Sequence, residues 1–305
     1  MAFTALDVKK LREMTNVGMM DCKKALTETD GDMDKAVEWL REKGLAKAAK
    51  KANRIAAEGM AYADVVDGMG VVVEVNAETD FVAKNEKFVD FVKGVAATVV
   101  ANKPASLEAL RECNYAGTEM KVADKQTEMI QVIGENIKVR RFHLFAENTS
   151  VSYIHAGGKI GVLVNLKVEG GIDATEIGKD VAMQIAALNP RFWDMSQVSQ
   201  EVLDEEKKIM MAQMAADPKM ANKPAQVIEK IVVGKLNKFY VENCLLQQEF
   251  VKDGIMSVEK YIASAAKALG GKVTFKAAVR FEKGEGIEKK QEIFAEEIAK
   301  MAAGK

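Results

Sequence analysis

Cysteine and histidine are scarce in this chain of 305 residues, and their scarcity narrows the chemistry that it can perform. The three cysteines, Cys22, Cys113 and Cys244, lie far apart, without a Cys-x-x-Cys pair or a Cys/His cluster. Neither a disulfide framework nor a zinc site is therefore expected. The two histidines, His143 and His155, are little material for acid–base catalysis near neutral pH, for which histidine is the favoured residue.

An excess of charge of one sign is also lacking. Lysine and arginine number 44, aspartate and glutamate 45, and the net charge is -1. Proteins that bind DNA or RNA commonly carry a basic excess because they neutralise phosphates, so direct nucleic-acid binding is not expected. The chain has no apolar run of about 18 residues that would span a membrane, and its first residues lack the apolar core of a signal peptide. A reducing, cytoplasmic location is expected.

Motifs of covalent chemistry are missing as well. The sequence contains no G-x-S-x-G, no Walker-type phosphate loop and no G-x-G-x-x-G. His143 alternates within a strand-like run, which favours a structural role. No metal ligand, cofactor or catalytic residue is predicted, and the chain is expected to bind another protein rather than to act as an enzyme. An enzyme built on a carboxylate–metal site is the alternative from another class.

Helical spacing dominates residues 1–55, which are predicted to form a three-helix docking module. Short helices are expected over 8–14 and 21–28. A third helix is expected to begin at Asp32 as its N-cap and to end at Gly44 as its C-cap. Three short helices make a small unit that is only marginally stable alone, as is typical of a docking module.

A basic row follows, formed by Lys47, Lys50, Lys51 and Arg54 at helical spacing. All four cations would line one face of a helix. One interpretation is a solvated face. The other is contact with an acidic surface of a partner, where opposite charge speeds association.

The pattern then changes to strand, turn, strand and helix, and it occurs twice. Tyr62 and Gly70 of the first copy are matched by Tyr153 and Gly161 at the same offset. We therefore expect two related α+β subdomains, although two copies leave chance similarity open. Strands are predicted over 60–66, 71–75, 152–156 and 160–166, and the subdomains over 56–148 and over 149–198 with 241–285.

Residues 199–240 are predicted to form an inserted helical hairpin, an antiparallel coiled coil. Its arms are expected over 199–216 and 224–240, with Pro218 in the turn and Pro224 at the start of the second helix. Such a hairpin projects from the core, and it could pair two copies as a homodimer. A last amphipathic helix is predicted over 286–305, with Ile293, Phe294, Ile298 and Met301 on its apolar side.

The run Asn76–Val82 lies between a predicted strand and a predicted helix. In one interpretation Thr79 or Asp80 caps the helix while Phe81 fills the core. In the other, Phe81 beside an acid at an element junction protrudes as a wedge, a common role for aromatic residues in protein interfaces. His155 precedes a Gly-Gly turn, and its pattern favours a turn residue.

Several long motifs resemble the elongation factor Ts family, in that family's order, from about Leu6 to the end. The resemblance implies a ubiquitin-associated-like N-terminal module, a two-part α+β core and a coiled-coil hairpin. It implies guanine-nucleotide exchange on the translational GTPase elongation factor Tu, bound both with GDP and free of nucleotide. The motifs are LREMTNVGMMDCKKAL at 11–26, TDFVAKNEKF at 79–88, IGENIKVRR at 133–141, HAGGKIGVLV at 155–164 and FEKGEGIEKK at 281–290.

The resemblance also implies a set of functional residues. Thr79, Asp80, Phe81 and Val82 correspond to the segment that displaces Mg²⁺ from the GTPase, with the Phe81 ring wedged between its helices. Lys252 departs from the family pattern, where an apolar residue is expected, and this leaves the contact at Val251 open. An adaptor or chaperone-like binder that causes no exchange is the alternative function. The other implied partner contacts are Arg12, Met19, Met20, Lys23, Lys51, Ile133, Gly134, His155 and Val251.

Overall fold

The computed structural model describes residues 3–217 and 224–288. The turn at Pro218 and the apolar positions predicted for a last helix, from Ile293 to Met301, lie outside these residues. The helices are α1 (Ala5–Thr15), α2 (Met19–Glu28), α3 (Met33–Lys51), α4 (Asp80–Ala83), α5 (Glu86–Asn102), α6 (Leu107–Glu112), α7 (Val122–Ile133), α8 (Thr175–Leu188), α9 (Gln200–Ala215), α10 (Ala225–Asn243) and α11 (Val258–Ala268). The strands are β1 (Glu58–Val66), β2 (Met69–Ala77), β3 (Lys138–Phe145), β4 (Thr149–His155), β5 (Ile160–Glu169) and β6 (Lys272–Glu282).

Two three-stranded antiparallel sheets, β1-β2-β3 and β4-β5-β6, form the centre of the molecule. Successive side chains of β2 point to opposite faces. Val71, Val73 and Val75 pack in the core that contains α5, whereas Val72 belongs to a cluster that includes Leu163 of the other sheet. Because β2 is covered on both faces, its sequence is a continuous apolar run rather than an alternating pattern. The layers are therefore helix, sheet, sheet and helix.

The two sheets have the same topology, a hairpin followed by helices and a returning antiparallel strand. The α+β class predicted from the sequence is confirmed. Gly70 and Gly161, the matched glycines, lie where the sheets approach each other. A Cβ on Gly70 would lie 2.5 Å from the Ser150 side chain, and one on Gly161 would lie 3.0 Å from the Ala61 carbonyl. A larger residue at either position would push the sheets apart.

Apolar stripes hold the outer helices on the sheets. The stripe of α5 is buried in the first core, and the stripe of α8 is buried in the second. Both stripes follow the helical period that the sequence displays. The stripe residues are Phe88, Val92, Val95 and Val99 in α5, and Ile177, Val181 and Ile185 in α8.

The first three helices have a small core of their own. Asp32 caps α3 as expected and accepts a hydrogen bond from the Lys35 amide. The prediction that α3 ends at Gly44 is wrong, because the helix continues to Lys51. Gly44 instead faces α7, where a Cβ would lie 2.6 Å from Oε1 of Gln131. Glycine at this position permits close packing at a cost of about 1 kcal/mol in helix propensity.

The helices α9 and α10 pack on each other through a cluster that includes Val198, Met210 and Phe239. Pro224 immediately precedes α10, as predicted. Several apolar side chains of the pair stay exposed, among them Met211 and Val233. Across 3–217 and 224–288, none of the helices is both long enough and apolar enough to cross a membrane.

Candidate partner-binding site

The segment 78–82 leaves the end of β2 and forms the one-turn helix α4. Its Phe81 side chain is 81% exposed, whereas Val82 is 7% exposed and belongs to the first core. The interpretation that Phe81 fills the core is therefore wrong, because Val82 takes that place. Asp80 is exposed beside Phe81. An aromatic ring and a carboxylate are thus presented together to the surroundings.

Glu135 holds this segment from the neighbouring turn after α7. Its carboxylate accepts hydrogen bonds from the amides of Glu78 and Thr79, at 3.1 and 3.0 Å, and from Oγ1 of Thr79 at 2.7 Å. In return, the amide of Asn136 donates to Glu78 at 2.6 Å. Thr79 is the N-cap residue of α4 by position, but its side chain bonds Glu135 instead of capping the helix.

The end of α3 joins the same cluster. Lys51 donates from its ammonium group to the carbonyl of Gly134, and Arg54 lies 3.5 Å from the Glu78 carboxylate. The side-chain amide of Asn136 donates to the carbonyl of Arg54 at 2.8 Å. Lys51, Gly134 and the segment 78–82, all predicted as site residues, are therefore brought together, with Ile133 packed against the first core beside them.

Three cations of the basic row bond other parts of the chain. Lys47 pairs with Asp21 at 2.7 Å, in addition to the bonds that Lys51 and Arg54 make. Both interpretations offered for the row, a solvated face and a contact with an acidic partner, miss these three intramolecular bonds. Their acceptors lie far away in the sequence, so the helical spacing of the row gave no sign of them.

His155 is the last residue of β4, and one of its ring nitrogens lies 3.1 Å from the Tyr153 hydroxyl. The turn that follows packs on β1, since the amide of Ala61 donates to the carbonyl of Gly158 at 2.8 Å. The neighbouring Met60 pairs with Val75 near the end of β2. His155 therefore lies near the end of the first sheet from which the segment 78–82 emerges.

The sequence pattern did not predict a role for a buried glutamate of β2. Glu74, in the middle of β2, is fully buried and accepts bonds from Arg140 at 3.0 Å and Arg141 at 2.5 Å. It also accepts from Asn76 at 3.0 Å and from the amide of Gly284 at 2.8 Å. Two of the sequence motifs, at 133–141 and 281–290, thus meet at one carboxylate. The available signal was a single acid within the apolar run Val-Val-Val-Glu-Val.

His143 lies on β3 of the first sheet. His143 is half-buried, its ring packs edge-on against Phe145 at 4.5 Å, and burial lowers its pKa. Within the described part of the chain, no group of three or more histidine, cysteine, aspartate or glutamate side chains could hold a metal ion. The exposure of Phe81 and Asp80 indicates a surface that contacts a partner.

Comparison with known proteins identifies the family. A family model described as elongation factor TS matches residues 78–285. The chain is 48% identical over 305 residues to an elongation factor Ts of Syntrophotalea carbinolica, which covers 99% of each chain. It is 50% identical over 303 residues to one of Clostridium perfringens strain SM101, covering 98% of each, and 46% identical over 307 residues to one of Magnetococcus marinus, covering 100% of each. The chain belongs to the elongation factor Ts family.

Other residues that the resemblance to the elongation factor Ts family suggested lie on the first two helices. Arg12 is in the last turn of α1, and Met19, Met20 and Lys23 are on α2. All four side chains are exposed, and Met20 is 75% exposed. The link between the helices lines a cavity of about 260 Å³ with Lys87 and Asp90 of α5. This surface therefore lies beside the helix that follows the segment 78–82.

The last suggested contact, Val251, lies in a turn beside α8 and is 48% exposed. Its amide donates to Gln184 at 2.9 Å. The neighbouring Lys252, where the resemblance predicts an apolar residue, lies 2.5 Å from the nearly buried carboxylate of Asp180. Asp180 also accepts from the Tyr261 hydroxyl at 2.5 Å, and burial, together with this bond, raises the pKa of Tyr261. Lys252 is thus the counter-charge of a carboxylate with little access to water.

Proposed function

We propose that this protein is a guanine-nucleotide exchange factor for elongation factor Tu in the elongation phase of protein synthesis. It binds the GDP complex, displaces Mg²⁺ and promotes release of GDP so that GTP can bind. The observation that supports this proposal most is the exposed Phe81, held beside Asp80 on an anchored turn in a chain of the elongation factor Ts family. The proposal implies a cytoplasmic location.

The mechanism requires no covalent step by this chain. A translational GTPase holds its nucleotide largely through the phosphates and Mg²⁺. Insertion of Phe81 and Asp80 near that ion would remove part of this electrostatic hold. Nucleotide and factor then weaken each other's binding by the same ratio, because the two equilibria are linked. The factor supplies speed, and the more abundant guanine nucleotide refills the empty site.

The proposed contact surface extends beyond Phe81. Thr79 and Val82 fix the ends of the intruding turn, and Lys51 and Gly134 take part as a bonded pair. We also propose that the chain divides into the predicted units 1–55, 56–148, 149–198 with 241–285, 199–240 and 286–305. A homodimer formed through the hairpin is a further proposal. The remaining proposed contacts with elongation factor Tu are Arg12, Met19, Met20, Lys23, Ile133, His155 and Val251.

Release of a fluorescent GDP analogue from elongation factor Tu tests the proposal. The protein is added at a small fraction of the GTPase concentration, with excess unlabelled GDP, while binding is measured separately. If the protein is an exchange factor, each molecule of it should release many molecules of the GDP analogue. At a given GTPase concentration, excess GDP should slow formation of the nucleotide-free complex. Binding without any acceleration of release would favour the adaptor and reject the exchange function.

A further inference from the structure

Glu135 is a half-buried anchor behind the exposed turn and is not among the predicted site residues. It is the acceptor for three donors of residues 78 and 79, whereas Asp80 and Phe81 are not among its hydrogen-bond partners. We propose that Glu135 is a positioning residue for nucleotide exchange, which holds the turn so that Phe81 and Asp80 are already placed when the partner arrives. This inference rests on the proposed exchange function.

The turn cannot hold its own shape. The helix α4 has four residues, too few to be stable alone, and it has no side-chain cap at its N-terminus. Phe81 is 81% exposed and so has little packing to fix it. The burial of Val82 secures the far end of the turn, where the amide of Asn85 also donates to the Val82 carbonyl at 2.9 Å. The bonds to Glu135 secure the near end.

A carboxylate suits three converging donors better than other side chains. It accepts through both oxygens, and its charge strengthens each bond. Glutamine would offer one accepting oxygen and would have to donate to the Thr79 hydroxyl with its amide. Alanine would leave the amides of Glu78 and Thr79 without this acceptor.

The hydrogen bonds between residues 78–79 and residues 135–136, here called the clasp, run in both directions. They join the turn at 78–82 to the turn after α7. Glu78 accepts from the amide of Asn136 while Glu135 accepts from the amide of Glu78. Arg54 and Lys51 join the end of α3 to these two turns. Because ordering a loop on binding costs free energy, a turn that is already ordered binds faster and more tightly than a mobile one.

Kinetics in two backgrounds test the role. Glu135→Ala is compared with wild type, and the same change is made in a Phe81→Ala background, with GDP-analogue release as the readout. In the wild-type background the exchange rate should fall about tenfold, the size expected for losing a charge-assisted bond of about 1.4 kcal/mol. If Glu135 acts through Phe81, the same change should alter the rate by less than about twofold when Phe81 is absent.

Hydrogen exchange of the free protein gives a readout independent of activity. Glu135→Ala should speed amide exchange in a peptide covering 76–83, with β4 and β5 unchanged. Thr79→Val, which removes one of the three donors, should act in the same direction to a smaller extent, and Glu135→Gln should retain most of the protection. Glu176→Gln on α8, where the exposed Glu176 pairs with Lys179, is the matched control and should change neither readout.

The outcomes separate the two proposals. If wild-type protein releases no GDP, the exchange function fails, and faster exchange at 76–83 in Glu135→Ala would still establish the clasp. If wild type is active but Glu135→Ala slows GDP release by the same factor with and without Phe81, Glu135 does not act through Phe81 and the inference fails. The inference fails also if Glu135→Ala and Thr79→Val leave both the rate of GDP release and the amide hydrogen exchange at 76–83 unchanged.

Discussion

Replacement of Glu74 by alanine should destabilise the protein more than removal of any exposed ion pair. Glu74 is fully buried, and its two arginine partners are mostly buried, with side chains 25% and 31% exposed. Breaking a buried pair typically costs about 3–5 kcal/mol, because the remaining charge has lost its partner. Arg141 keeps a second bond to Glu285 at 2.9 Å, so the low end, about 3 kcal/mol, is expected.

The size of this loss matters because whole domains are stable by only about 5–15 kcal/mol. Urea denaturation followed by circular dichroism gives the midpoint and slope of unfolding for each variant. Glu285→Ala is the matched control, since Glu285 bonds the same arginine but is 45% exposed. Its loss should cost no more than about 1 kcal/mol. Equal shifts in the two variants would refute the reasoning, as would a Glu74→Ala loss below that of the control.

Two further predictions concern a pair of glycines and the cysteines. Gly94→Ala should lower the free energy of unfolding by about 1–3 kcal/mol, because the new Cβ would lie 1.8 Å from the Tyr115 hydroxyl. Gly234→Ala places its Cβ in open space and should stabilise α10 by about 0.5–1 kcal/mol. Urea denaturation checks both variants. Ellman's reagent at pH 8 should modify the partly exposed Cys113 before the buried Cys22 and Cys244, since burial raises the pKa of Cys244 to about 11, and rapid labelling of Cys244 in folded protein would contradict this. The same shift should lower stability as pH rises from 9 through about 11, because the unfolded thiol, with a pKa near 9.0, loses its proton first.

The layered core was predictable because its signals are local and periodic. The stripes of α5 and α8 repeat at the helical period, and the matched pairs Tyr62 with Tyr153 and Gly70 with Gly161 marked the repeated topology. The division of the chain into separate units stays a prediction. The face-to-face packing of the two sheets could not be read from either copy alone, because it depends on how the copies meet.

The site was less predictable, because its bonds join distant parts of the chain. A glycine that ends a helix and one that admits a neighbouring helix look alike in sequence, so Gly44 was misassigned. The spacing around α4 did not decide whether Phe81 fills the core or protrudes, since a single turn has too few residues to define a face. The acceptors of Lys47 and Lys51, and the donors to Glu135, are set by tertiary packing alone.

The most direct test of the central claim compares Phe81→Ala with wild type in release of a fluorescent GDP analogue from elongation factor Tu. Leu269→Ala, which removes another exposed apolar side chain, is the control. Because an interface aromatic residue commonly contributes about 2 kcal/mol, release should slow about thirtyfold in Phe81→Ala and remain unchanged in the control. Since Phe81 is 81% exposed, the variant should unfold at the same urea concentration as wild type. Release by Phe81→Ala at the wild-type rate would contradict the account.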